Sequence, residues 1–124
     1  MPSNPYTSYL DATVLTAEPV ELVRILYQGA LDSVGNARVH LEAGDILARS
    51  KAICRAMDIL RELSFSLNHK AEPALARNLA ELYDYMQRQL LTAQHEQSDA
   101  PLAEVAGLLG TLSEAWDQAT VRAI

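Results

Sequence analysis

Residues 16–31 read TAEPVELVRILYQGAL, and this stretch decides the fold. Pro19 stands at the mouth of an apolar run. It suits the first position of a helix, where its missing N–H would have no partner. Glu18 and Glu21 place negative charge at the positive end of the helix dipole. Leu22, Val23, Leu26, Tyr27 and Ala30 then step by three and four, and Val34, Ala37 and Leu41 continue the series. The spacing predicts one amphipathic helix from Pro19 to about Ala43. Its apolar arc is broader than a coiled-coil seam, so the helix is expected to touch more than one neighbour. Gly29 and Ser33 lie within or beside that arc, where small residues let another helix approach. Gly44-Asp45 then breaks the pattern.

Working outward, three more helices follow. The second is expected from about Ile46 to His69, with Ala52, Ile53, Ala56, Met57, Ile59, Leu60, Leu63 and Leu67 on its main face. A polar break at Lys70-Ala71-Glu72 ends in Pro73, again a good first helical residue. The third runs from Pro73 to about Gln94, with a stripe of Leu75, Leu79, Leu82, Tyr83, Met86, Leu90 and Ala93. Ser98 or Asp99 is a suitable N-cap for the fourth, which extends from about Ala100 to Ala123. Leu102, Val105, Leu108, Leu109, Leu112, Trp116 and Ala119 form its stripe, and Gly107 and Gly110 lie away from it. No alternating strand pattern competes. The fold class expected is all-α, an antiparallel four-helix bundle formed as one domain by residues 16–124.

Upstream lies a different kind of segment. Residues 1–15 hold Pro2 and Pro5, which disfavour early helix. They also carry Tyr6, Tyr9, Leu10, Val14 and Leu15. The segment is therefore either a frayed terminus or an extended arm that caps the bundle, and the apolar residues leave both open.

Composition excludes several functions. The formal charge is −6 with ten Lys and Arg, too few and too scattered for phosphate binding, so no nucleic-acid partner is expected. Cys54 is the one cysteine, which rules out an intrachain disulfide and suits a reducing cytosol. No secretory signal precedes the first helix, and no apolar run is long enough for membrane insertion. No glutamate has a histidine three residues later, as a di-iron bundle would need. His40, His69 and His95 fall near predicted helix ends, where a helix dipole favours them. There is no phosphate-binding glycine loop. Neither catalytic residues, metal ligands nor a cofactor site are expected, and the function left is binding another macromolecule.

Eight apolar residues remain outside the stripes: Ile25, Leu31, Val39, Leu47, Cys54, Phe65, Tyr85 and Leu91. Single exposed hydrophobics are ordinary, and a bundle helix contacts two neighbours, which widens its buried arc. Yet Leu47, Cys54 and Phe65 align on one edge of the second helix. A continuous apolar groove marks a partner site, and amphipathic helices are its natural ligand.

Five segments, in order, resemble one family: NPYTSY, TAEPVELVRILYQGAL, KAICRAMDILRELSFSLN, NLAELYDYMQRQLLTA and LAEVAGLLGTLSEAWDQA. Together they are similar to the FliS family of flagellar secretion chaperones, over nearly the whole chain. The resemblance implies a protein of the bacterial cytosol, with neither enzyme activity nor cofactor. It would bind the C-terminal segment of newly made flagellin, prevent premature polymerisation and support delivery to the flagellar export apparatus. It also implies that the N-terminal arm covers part of the flagellin site when that site is empty. On this reading Tyr6, Tyr9 and Leu10 form the cap. Leu47, Cys54 and Phe65 line part of the groove with Tyr85 and Leu91. Export apparatus components are further partners, and a homodimer stays open because the arm could pack on its own bundle or on a second copy. The alternative is a helical adaptor that binds an amphipathic segment of a different client protein.

Overall fold

The computed structural model describes residues 19–123, with side chains placed for residues 20–119. Four helices make up the described residues: α1 (Pro19–Ala43), α2 (Ile46–Phe65), α3 (Pro73–Glu96) and α4 (Asp99–Ala123). They form an all-α bundle with no strand among the described residues. The arm residues Tyr6, Tyr9 and Leu10 lie outside this range. α1 and α3 each pack against both α2 and α4, which closes a ring of four seams. Two contacts fix the antiparallel sense of α1 and α4. Arg38, late in α1, holds Asp99 at the start of α4 with two hydrogen bonds, from Nε at 2.8 Å and Nη2 at 3.0 Å. At the other end the Trp116 indole N–H donates to the Val20 carbonyl at 3.3 Å. The Arg38 guanidinium holds the Asp99 carboxyl below its usual range, mainly by this hydrogen bonding. Both side chains are nearly half exposed, so the pair fixes register more than it adds stability.

Local chemistry explains the helix ends. Pro19 and Pro73 open α1 and α3. Gly44 has φ of +73°. Its N–H bonds the Leu41 carbonyl at 3.2 Å while the Asp45 N–H bonds the His40 carbonyl at 3.0 Å. This pair of bonds stops a helix in the left-handed region that glycine enters at little cost. Asp45 then caps α2, its carboxylate accepting from the Ala48 N–H at 3.1 Å. A two-residue link thus ends one helix and starts the next. The α3–α4 link also turns through the left-handed region, with Gln97 at φ of 53° and the N–H groups of Gln97 and Ser98 both donating to the Ala93 carbonyl, and a side chain is strained there. Gln97→Gly is therefore expected to raise the unfolding free energy by about 0.5–1 kcal/mol, measurable by urea denaturation.

α2 ends at Phe65, four residues before the expected His69. The Ser66 hydroxyl bonds the Leu63 carbonyl at 2.8 Å, and the Asn68 carboxamide accepts from the Lys70 and Ala71 N–H groups at 3.1 and 3.2 Å. These side chains offer the backbone an alternative to helix. Leu67 still packs against the core from beyond the helix end.

The stripes read from the sequence form the core, with Leu26, Tyr27, Val34, Ile53, Leu60, Leu63, Met86, Leu90, Leu102 and Leu109 among its buried members. Two positions differ. Leu75, in the first turn of α3, is half exposed, and Ala76 takes the buried place. Ala119 is exposed in the last turns of α4. Arg49, which the stripe omits, is buried at 3% exposure, its Nε donating to Gln94 of α3 at 3.3 Å. Gln94 in turn donates to Ser50. Ser33 is also buried, and its hydroxyl has no hydrogen-bond partner.

Candidate functional site

The α1–α2 seam is the most extensive in the bundle. Its outer side opens into a groove of about 1180 Å³. Leu22, Leu26, Asn36 and His40 of α1 form one wall. Ala52, Cys54, Ile59 and Phe65 of α2 form the other, with Lys51, Arg55, Asp58, Arg61 and Glu62 along the rim. The amphipathic stripes explain the arrangement. Leu26 and Ile59 face the core but lie at the edge of the buried arc, so each also contributes to the groove floor. Phe65 is 81% exposed at the last turn of α2. An aromatic ring kept in water at that position brings no folding gain.

Rim charges are mixed. Asp58 pairs with Arg61 one turn away, whereas Lys51 and Glu62 form no ion pair among the described residues. Those two are eleven positions apart on α2, about 16 Å at the helical rise. The groove therefore offers an apolar floor with an unmatched cation toward one end and an unmatched anion toward the other. No group of three or more histidine, cysteine or acidic residues is placed to hold a metal among the described residues. The arrangement is an apolar groove with a charged rim.

The structure brings together Cys54 and Phe65 but not the other residues named from the sequence. Leu47 is exposed on the same side of α2 without lining the groove. Tyr85 turns to α4, where its hydroxyl donates to Glu104. That contact raises its phenol above the usual range. Leu91 is exposed on α3, and Tyr85 and Leu91 are not part of the groove. Tyr6, Tyr9 and Leu10 lie outside the described residues. Sequence reasoning misses the α1 wall. By pattern Leu22 and Leu26 are core, and His40 is only a helix-end residue. The breadth of the α1 arc is the one signal that this helix has apolar surface to share.

A groove of this kind has meaning once the chain's relatives are considered. The family model described as "Flagellar protein FliS" matches residues 2–123. The chain belongs to the FliS family. It is 37% identical to the flagellar secretion chaperone FliS of Bacillus subtilis over 94% of its own length and 86% of that relative's. With the FliS of Salmonella typhimurium it shares 36% identity over 92% and 85% of the two chains. The flagellar secretion chaperone FliSB of Pseudomonas aeruginosa is 32% identical over 87% and 86%. The role of this FliS protein is that of an export chaperone, and the family is one of chaperones rather than enzymes. No helix among its described residues is long and apolar enough to cross a membrane.

Proposed function

We propose that this FliS protein binds the C-terminal segment of flagellin in the bacterial cytosol and holds it unpolymerised until it reaches the export apparatus. The observation that carries the proposal is the α1–α2 groove, with Phe65 exposed at its end. A flagellin terminus is amphipathic and would assemble through its apolar face. Covering that face blocks assembly by occupancy alone, with no need for ATP. The segment loses conformational freedom when it binds, so a long apolar surface is required to offset that cost. Leu47 and Leu91 would extend the contact beyond the groove. Residues 1–15 would act as an arm whose Tyr6, Tyr9 and Leu10 cover apolar surface when no client is present, and the remainder would form the single bundle domain.

Titration calorimetry with a synthetic peptide of the host flagellin's C-terminal segment tests this. A dissociation constant weaker than about 1 mM, roughly −4 kcal/mol, would remove flagellin as the client and favour a helical adaptor for another protein. Phe65→Asp is expected to weaken peptide binding at least about tenfold, since a carboxylate would replace a ring that the bound peptide would cover. Its melting curve would stay close to that of the parent, because substitutions at exposed positions shift stability by about 0.5 kcal/mol or less.

A further inference from the structure

We propose that Gly29 is a positioning residue that sets the depth of the α1–α2 groove by letting Ile59 withdraw from it. The inference rests on the reading of this groove as the flagellin site. Gly29 lies in the interior of α1, where glycine weakens a helix relative to alanine. At Gly35, Gly107 and Gly110 an added Cβ would meet nothing within 4 Å. At Gly29 it would lie 3.2 Å from the Ile59 Cδ1 atom, closer than ordinary van der Waals contact.

Ile59 has two surroundings. It is 3% exposed and belongs to the core, and it also lines the groove. A methyl group added at position 29 would push its Cδ1 by a few tenths of an ångström. Away from the groove Ile59 belongs to the buried core cluster, which is close-packed, as interiors are. The open direction is the groove. With glycine at position 29 the floor between Leu26 and Ile59 is low, and a large branched or aromatic side chain on the apolar face of the flagellin helix can seat there. With alanine the floor rises beneath that side chain.

The test is calorimetry with the synthetic flagellin C-terminal peptide on the full chain as the parent, Gly29→Ala, Ile59→Val and the double variant, with a melting curve for each. Gly29→Ala is expected to bind about tenfold more weakly, in the range of a modest overpacking effect, with no fall in melting temperature. Ile59→Val removes the Cδ1 atom, so the double variant is expected to recover binding to that of Ile59→Val alone. Equal affinity of the parent and Gly29→Ala would overturn the proposal. So would weak binding by the double variant, since the loss would then not pass through Cδ1. A marked fall in the melting temperature of Gly29→Ala would overturn it too, because the strain would then be taken up by the seam and not by the groove. A parent chain that does not bind the peptide would instead refute the flagellin assignment.

Discussion

Leu60→Ala is expected to lower the unfolding free energy by about 3 kcal/mol, the middle of the range for emptying a packed leucine site. Leu60 is fully buried in α2 and belongs to the central cluster. The loss has two parts: the transfer energy of the missing methyl groups, and the cavity that close-packed neighbours cannot fill. For a chain of this length the melting temperature would fall by roughly 10 °C. Urea denaturation gives the free energy directly, and an unchanged m value would show that the unfolded state is not the cause. Phe65, five residues along the same helix, is expected to behave in the opposite way. Its ring contributes little to folding and much to binding. The two positions together separate the inner face of α2 from its outer edge. A Leu60→Ala loss under about 1 kcal/mol would mean that the site collapses freely and that the core is less tightly packed than the burial indicates.

The sequence is most legible where a single residue type has a single local use. Proline at a helix start and glycine after a helix end are such residues, and α1 begins at Pro19 and ends before Gly44 as their chemistry requires. The stripes are legible because apolar residues recurring with a period of 3.6 line one face of a helix and scatter over both faces of a strand. The end of α2 is less so. Leu67 continues the helical spacing, but Asn68 captures two backbone N–H groups and turns the chain. Periodicity cannot see that competition. Leu75 fits the α3 stripe equally well, yet it is half exposed and Ala76 takes the buried place. Arg49 is illegible for a related reason. Its burial depends on Gln94, forty-five positions away, and no local pattern announces a partner at that distance.

The groove divides in the same way. Its α2 edge can be read because Cys54 and Phe65 break the apolar pattern of their helix. Its α1 wall cannot, because Leu22 and Leu26 obey theirs. A residue at the margin of a broad apolar arc looks like core in one dimension and becomes surface only when the neighbouring helix is set at its actual distance. Gly29 and Ile59 meet at that distance on the α1–α2 seam. Tyr85 also breaks its pattern, and the hydrogen bond to Glu104 draws it to the opposite side of α3. An off-stripe residue therefore marks an exposed edge but not which of two edges it joins.

Tyr83→Phe is expected to lower the unfolding free energy by about 2 kcal/mol even though it adds no charge and leaves no large cavity. Tyr83 and Tyr27 are 2% and 4% exposed, and their hydroxyls meet at 2.5 Å. The contact joins α1 to α3 across the middle of the bundle, where no other hydrogen bond is formed between these two helices among the described side chains. Deleting one hydroxyl leaves the other buried without its partner, which costs more than the bond itself adds. Deleting both removes the problem. The Tyr27→Phe, Tyr83→Phe double variant is therefore expected to be more stable than either single variant, and a double-mutant cycle would return a coupling of about 2–3 kcal/mol. The pair also sets a pH limit. Burial raises both phenols above their ordinary value of 10, and the hydrogen bond to Tyr27 raises Tyr83 further. The unfolded chain then loses these protons before the folded one, so the contribution is fully present below about pH 10 and is lost as pH rises beyond it. Denaturation at pH 8 and pH 10.5 would show a steeper loss for the parent than for the double variant. Additive single-variant effects, or equal slopes, would mean that the two hydroxyls do not depend on each other.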